Sequence, residues 1–435
     1  MTRFESLAHT DDPLVGMPDM ARLRRLLPSN LDVAGLASRS VADFVGSVNE
    51  YLVASGGSPR NWALDADRIA AAYGSDRLLR LHGEPVQMFA ELSGFFRTRD
   101  GWIRTHANYP HHRLGLCLAT GLDDTATAAD FAARVATLDA RAIEEAAWRV
   151  GALAVRVREP AEWEPPAGVV HDETLGASRA TPRRPPSESD PPLAGIRVLD
   201  LTRVIAGPVA TRSLALLGAD VLRVDPPAMP EIALQHVDTG QGKRSTFIDG
   251  ASLSGRATLD VLLAEADVLV SGYRPGAIEA LGLKLPPGIV HATVNAWGDV
   301  DTWSERRGFD SLVQAVTGIS RMESQPSESD DPRPGALPVQ ALDHSAGYRL
   351  AAAVVRALGS QFESPVGHRV SVSLAGVAAE LLAGDHVTRS TERIPLPDSL
   401  VVTHGEYTTA RPALAEFADY AFPAHPLGAD PATWE

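Results

Sequence analysis

Between Leu193 and Asp225 the chain reads as strand, turn, helix and second strand within a few dozen residues, an order that few folds accommodate. Ile196, Val198 and Leu199 form a short apolar run bounded by Gly195 and by the breaker Gly207-Pro208. Such a run suits a strand buried on both faces better than a helix. The pattern predicts a helix over Thr211–Leu217, ended by Gly218, and a strand over Ala219–Asp225. Two strands joined by one crossing helix are parallel, so this part of the chain is expected to build an α/β sheet.

A parallel unit of this kind also opens dinucleotide-binding domains, but the first turn reads Ile205-Ala206-Gly207-Pro208 where those domains need G-x-G-x-x-G. Without that glycine cradle for a pyrophosphate, a nicotinamide enzyme is disfavoured. The formal charge of −15 disfavours nucleic acid as a partner, because neutralising phosphates takes a basic surface. No apolar run approaches the ~20 residues of a membrane span. A single cysteine, Cys117, excludes an intrachain disulfide framework, and the first residues lack signal and transit patterns, so a cytoplasmic protein is expected. Lys243 and Lys284 are the only lysines. A G+C-rich coding bias explains the arginine preference, and leaves a lysine at 243 as a hint of a packing or phosphate role.

Composition divides the chain into parts. Residues 1–175 are helix-rich, with a separate small unit over about 85–165. Residues 176–192 form a polar, proline-rich linker, residues 193–380 repeat the α/β pattern, and residues 381–435 are too loosely patterned to classify. The stretch Ser324–Pro334 is expected to be a mobile loop.

Near the end of the α/β part, the apolar segment Leu337–Leu342 is followed by Asp343-His344-Ser345-Ala346-Gly347 and a helical pattern that runs to Gly359. Asp343 or Ser345 is expected to be the N-cap, where free amides and the helix dipole favour a carboxylate as the anion. On this pattern alone Asp343 needs no further role. His106, His111 and His112 invite a metal reading, but their spacing matches no zinc motif and no HExxH accompanies them, so no metal is expected.

Four segments together resemble the class III coenzyme A transferases, the family of formyl-CoA transferase, carnitine CoA-transferase and α-methylacyl-CoA racemase. They are Leu193–Pro208, Gly218–Asp225, Lys243-Arg244-Ser245 and Ala266–Gly276, joined by the segment around Asp343. The resemblance implies a Rossmann-like parallel sheet domain with a smaller α+β domain. It extends to Asp100–Arg113 and Gly151–Trp163, similar to the family's small domain, which here precedes the larger one.

The resemblance also implies a chemistry. Asp343 would be the nucleophile of a CoA-transferase that moves CoA between an acyl-CoA and a carboxylic acid through aspartyl anhydride and thioester intermediates. Backbone amides of Ser345, Ala346 and Gly347 would hold oxyanions. Val204, Ile205, Lys243, Arg244, Tyr273, Arg274 and Arg307 would contact CoA, although core packing for Val204 and Ile205 and a turn-shaping role for Arg274 are open alternatives. No cofactor is implied beyond CoA as substrate, and an interlocked homodimer is expected. Departures leave two other readings in play. Gly272 replaces an asparagine and a glycine-rich closing loop has no counterpart, which fits a weakened acyl-CoA-binding homologue. Phe309 stands where the racemase branch has a histidine base, which counts against the third reading, a racemase or isomerase. The acyl group and the acceptor are not legible.

Overall fold

The computed structural model describes residues 13–179, 183–187, 189–272, 278, 281–324, 331–390, 392 and 394–435. Its aliphatic runs form the centre of one seven-stranded sheet. The strands are β1 (Val170–Ser178), β2 (Arg197–Leu201), β3 (Asp220–Asp225), β4 (Arg244–Phe247), β5 (Val268–Ser271), β6 (Val290–Asn295) and β7 (Val366–Ser373). They lie in the order β4-β3-β2-β5-β6-β7-β1. Strands β2 to β7 are mutually parallel, and β1 pairs antiparallel with β7 along the far edge. In this doubly wound order the winding reverses between β2 and β5, which opens a crevice at the carboxyl ends of those two strands.

Six helices frame the crevice and its supports: α1 (Val33–Ala54), α2 (Pro110–Thr120), α3 (Ala206–Leu216), α4 (Ala233–Thr239), α5 (Asp310–Val316) and α6 (Ala341–Ser360). Helix α3 begins five residues before the expected Thr211, immediately after the turn that leaves β2. Gly207 permits that tight return, since a Cβ there would stand 2.4 Å from Cβ of Thr202. Both sheet faces are covered. Val198, Val221, Val268 and Val290 meet the core shared by α1, α3 and α6, whereas Leu199, Leu222 and Leu269 meet Leu259, Leu262 and Leu263 on the other side. This two-sided burial is why the strands read as continuous apolar runs.

The first part of the chain does not stand apart from this sheet. Helix α1 is buried almost all round and lies along α6. Asp43 on α1 binds Arg349 and Arg356 of α6 at 3.2 and 2.7 Å. Strand β1 crosses the expected boundary at residue 175, and Arg183 in the proline-rich stretch is anchored on Asp267 and Gln361. Residues 92–154 hold a separate small core of Leu92, Ile103, Leu116, Phe131 and Ile143, under a three-stranded antiparallel sheet formed by Phe95–Arg97, Trp102–Thr105 and Ala154–Arg156. The hairpin Val401–His404/Tyr407–Ala410 pairs with Arg80–Leu81, and the last residues run beside β4, where Asp430 accepts from the Ser245 amide at 2.7 Å. That tail covers a sheet edge that would otherwise offer unpaired backbone groups. Most of the expected mobile loop, residues 325–330, lies outside the described residues. Among the described residues no helix is long and apolar enough to cross a membrane.

Candidate active site

Helix α6 starts earlier than expected, with Gln340 as its N-cap, so Asp343 is the third residue of the helix and neither it nor Ser345 is the cap. The capping carboxylate comes from elsewhere. Oδ2 of Asp310, the first residue of α5, accepts the amides of Leu342 and Asp343 at 2.9 and 3.1 Å, and its Oδ1 accepts from Gln314. The first amides of the helix are therefore taken. Ser345, Ala346 and Gly347 lie deeper in the helix, where N–H groups bond to the preceding turn. Ser345 Oγ is 3.0 Å from the Tyr73 hydroxyl. Gly347 is a crossing point, for a Cβ there would lie 2.6 Å from the Ala206 carbonyl oxygen on α3. Contrary to the expectation, these three residues lie within the body of the helix and not among its free N-terminal amides.

Asp343 is 7% exposed and lines a cavity together with Val204, Ile205, His106, Asn108, Gln235, Phe309, Asp310 and Ser311. Among the described residues its carboxylate has no hydrogen bond and no ion pair. Burial, reinforced by the neighbouring Asp310, holds its pKa well above the ordinary carboxylate range. Burial also raises Asp310, to about 6, against the pull of its three N–H donors. The two carboxylates titrate as a pair, and the charge better stabilised by hydrogen bonds is the one on Asp310.

The opposite wall is the turn after β2, at the reversal point of the sheet. Val204 has φ 69°, a left-handed conformation that a β-branched residue adopts only under constraint, at a cost of about 1–3 kcal/mol. The constraint is Glu231. It accepts the Val204 amide at 2.6 Å and the Tyr109 hydroxyl at 2.9 Å, and the fully buried Arg223 holds it at 3.2 Å. Tyr109 belongs to the first part of the chain, so that part fixes the turn. A second cavity, lined by Tyr109, Ile232 and Leu234, shares His106, Val204 and Gln235 with the first, so the two adjoin.

The other expected contacts divide. Val204 and Ile205 line the cavity beside Asp343. Lys243 does not: it is fully buried, and its Nζ binds Asp200, Thr211 Oγ1 and the Pro208 carbonyl at 3.1, 2.6 and 2.9 Å. Burial lowers its pKa to about 8 despite Asp200. Arg244 is likewise spent, on Asp220 at 2.7 Å and the Thr433 carbonyl at 2.7 Å. The Lys-Arg-Ser motif thus seals the β4 side of the sheet, correcting its assignment to CoA. Tyr273 and Arg274 lie outside the described residues. Arg307 is exposed, and together with Arg203 it lowers the pKa of His111 and His112, after the larger effect of burial. Arg203, which lies within the Leu193–Pro208 segment but is not among the expected CoA contacts, stacks its guanidinium 5.1 Å from the Tyr109 ring centre. Two cations therefore stand near His111 and His112, beside the cavity that Tyr109 lines. The histidines do not assemble a metal site: among the described residues no group of His, Cys, Asp or Glu is placed to hold one. Instead His106 stacks face to face on Phe309, with ring centres 3.9 Å apart.

Known proteins share much of this sequence. Residues 193–399 match the family model described as CoA-transferase family III. Over 236 residues the chain is 30% identical to a probable fatty acyl-CoA transferase of Mycobacterium tuberculosis, covering 49% of this chain and 59% of that one. It is 29% identical over 201 residues to human succinyl-CoA:glutarate CoA-transferase, covering 42% and 45%, and 28% identical over 230 residues to formyl-CoA:oxalate CoA-transferase of Streptomyces coelicolor, covering 49% and 52%. A solved CAIB/BAIF family protein from Brucella suis aligns with a TM-score of 0.40 at 25% identity, over 45% of this chain and 56% of that one. The chain thus spans about half the length of these relatives. Over residues 193–399 it is similar to CoA-transferase family III.

Proposed function

We propose that the protein transfers CoA between an acyl-CoA and a carboxylic acid, with Asp343 as the nucleophile. The observation that carries this reading is a buried carboxylate with no partner of its own among the described residues, in a cavity that it lines together with the turn at the sheet's reversal point.

The environment of Asp343 suits the task. An anion poorly stabilised by its surroundings is the more reactive one, and burial, reinforced by repulsion from Asp310, keeps Asp343 in that condition. Asp343 attacks the thioester carbonyl carbon, the carbonyl pair moves to oxygen, and collapse expels CoA thiolate to leave an acyl-aspartyl anhydride. Acylation removes the negative charge from Asp343, so the repulsion from Asp310 is relieved as the intermediate forms. The thiolate then attacks the aspartyl carbonyl and releases the donor acid. The acceptor carboxylate displaces CoA from the aspartyl thioester, and the thiolate takes the new acyl group, regenerating Asp343. Each step exchanges one acyl bond for another, so no cofactor beyond CoA is required. Arg203 and Arg307 lie where forked guanidinium donors could take CoA phosphates. We further propose a homodimer as the working form.

Intact-mass analysis after incubation with a panel of acyl-CoAs, on wild type and on Asp343→Ala, tests the reading. A hydroxylamine-sensitive adduct in wild type that the variant lacks is the expected result. CoA binding with no adduct in either protein would replace it with an acyl-CoA-binding role. Arg307→Ala is expected to weaken acyl-CoA binding by about 5-fold at low salt and less at high salt, read by calorimetry.

A further inference from the structure

Attack on a thioester places a negative charge on the carbonyl oxygen, and catalysis requires donors aimed at it. The start of α6 cannot provide them, because Asp310 already takes the amides of Leu342 and Asp343. Three other elements bring side chains to the same cavity, and each leaves a buried polar atom without a partner among the described residues: Nδ1 of His106 from the first part of the chain, Nε2 of Gln235 on α4, and Oγ of Ser311 on α5. The three residues are 4%, 8% and 5% exposed. An unpaired buried polar atom destabilises the fold, and three around one cavity are a site held ready.

We propose that His106, Gln235 and Ser311 hold the oxyanion formed on the thioester carbonyl when Asp343 attacks it. The proposal rests on the assignment of Asp343 as nucleophile. His106 fits the part because its ring orientation is fixed by the Phe309 stack. Burial and the nearby His112 lower its pKa to about 3, so it is neutral and donates a hydrogen bond without surrendering a proton. Gln235 and Ser311 contribute an amide N–H and a hydroxyl. As the carbonyl π pair moves onto oxygen these three N–H and O–H groups bond to it, and they release it when the C–S bond breaks.

Three variants test this: His106→Phe, which keeps an aromatic ring on Phe309, Gln235→Leu and Ser311→Ala. The rate at which acetyl-CoA and succinyl-CoA load Asp343, followed by quenched-flow mass analysis, is expected to fall about 10²–10³-fold for a lost donor, with CoA affinity unchanged. Loading at the wild-type rate in all three variants would overturn the proposal. A second readout does not need the nucleophile. In Asp343→Asn, the infrared carbonyl band of bound, carbonyl-labelled acetyl-CoA should lie below its position in solution and return toward it when His106→Phe is added. A band at the solution position in both proteins would count equally against it. A wild type that no acyl-CoA loads would instead remove the nucleophile, and the infrared band would then decide on the donors alone.

Discussion

Asp200 and Asp343 are both buried carboxylates beside the turn that follows β2, and their surroundings are opposite. Asp200 is fully buried, ion-paired with Lys243 and hydrogen-bonded by Thr211 Oγ1 and by the amide and hydroxyl of Thr202. Asp343 faces a second carboxylate and, among the described residues, has no donor. A buried charge whose every lone pair is answered belongs to the scaffold. A buried charge left unanswered costs stability, and a chain carries it where chemistry uses it.

The contrast can be broken at either end. The largest effect is expected from Asp343→Ala, which should reduce transfer by about 10³-fold or more while the protein stays folded, as read by steady-state rates alongside circular dichroism. Next comes Lys243→Met. It leaves Asp200 buried and unpaired, and should cost about 3–5 kcal/mol in urea unfolding, with the remaining folded enzyme still loading Asp343. Loss of loading in fully folded Lys243→Met would erase the distinction between the two sites.

Smaller changes sharpen it. Asp310→Asn removes the like charge that holds Asp343 up, so Asp343 should ionise at lower pH and the acid limb of the loading rate should move in that direction. An unmoved limb would mean that burial alone sets the pKa. The smallest expected effect is on stability. Asp343 has a folded-state pKa above its unfolded one, so its ionisation costs stability as pH rises from about 4 toward the raised value, and costs nothing below that range. Asp343→Asn should accordingly raise Tm by a few degrees at pH 8 and leave it unchanged at pH 4. A lower Tm at pH 8 would contradict the picture of a carboxylate without partners.

How much of this was legible depended on whether the forces were local. Val198, Leu199 and Val221 announced parallel strands because burial on both faces leaves a continuous apolar run. Strand β1 gave no such sign. Its residues Val170–Ser178 are mostly polar and exposed, and it joins the sheet through backbone bonds to β7. The cap of α6 was misread because its carboxylate, Asp310, lies 33 residues away from the Asp343 amide. The motif around Lys243 and Arg244 points to CoA, and only the fold reveals that Asp200 and Asp220 bind them. His106 was weighed as a metal ligand because spacing along the chain says nothing about Phe309, the ring it stacks on.

The packing of α1 along α6 has a consequence for how the protein is made. Residues 33–54 leave the ribosome well before residues 341–360 exist. At about 5–20 residues per second that interval is roughly 15 to 60 s, during which a helix that is buried almost all round in the folded chain lacks the main partner that covers it. Long-range contacts of this kind fold slowly. Yield from a heterologous host should therefore depend on chaperone supply and growth temperature more than on codon choice. Two separately translated halves, mixed, could find each other through the same helix pair.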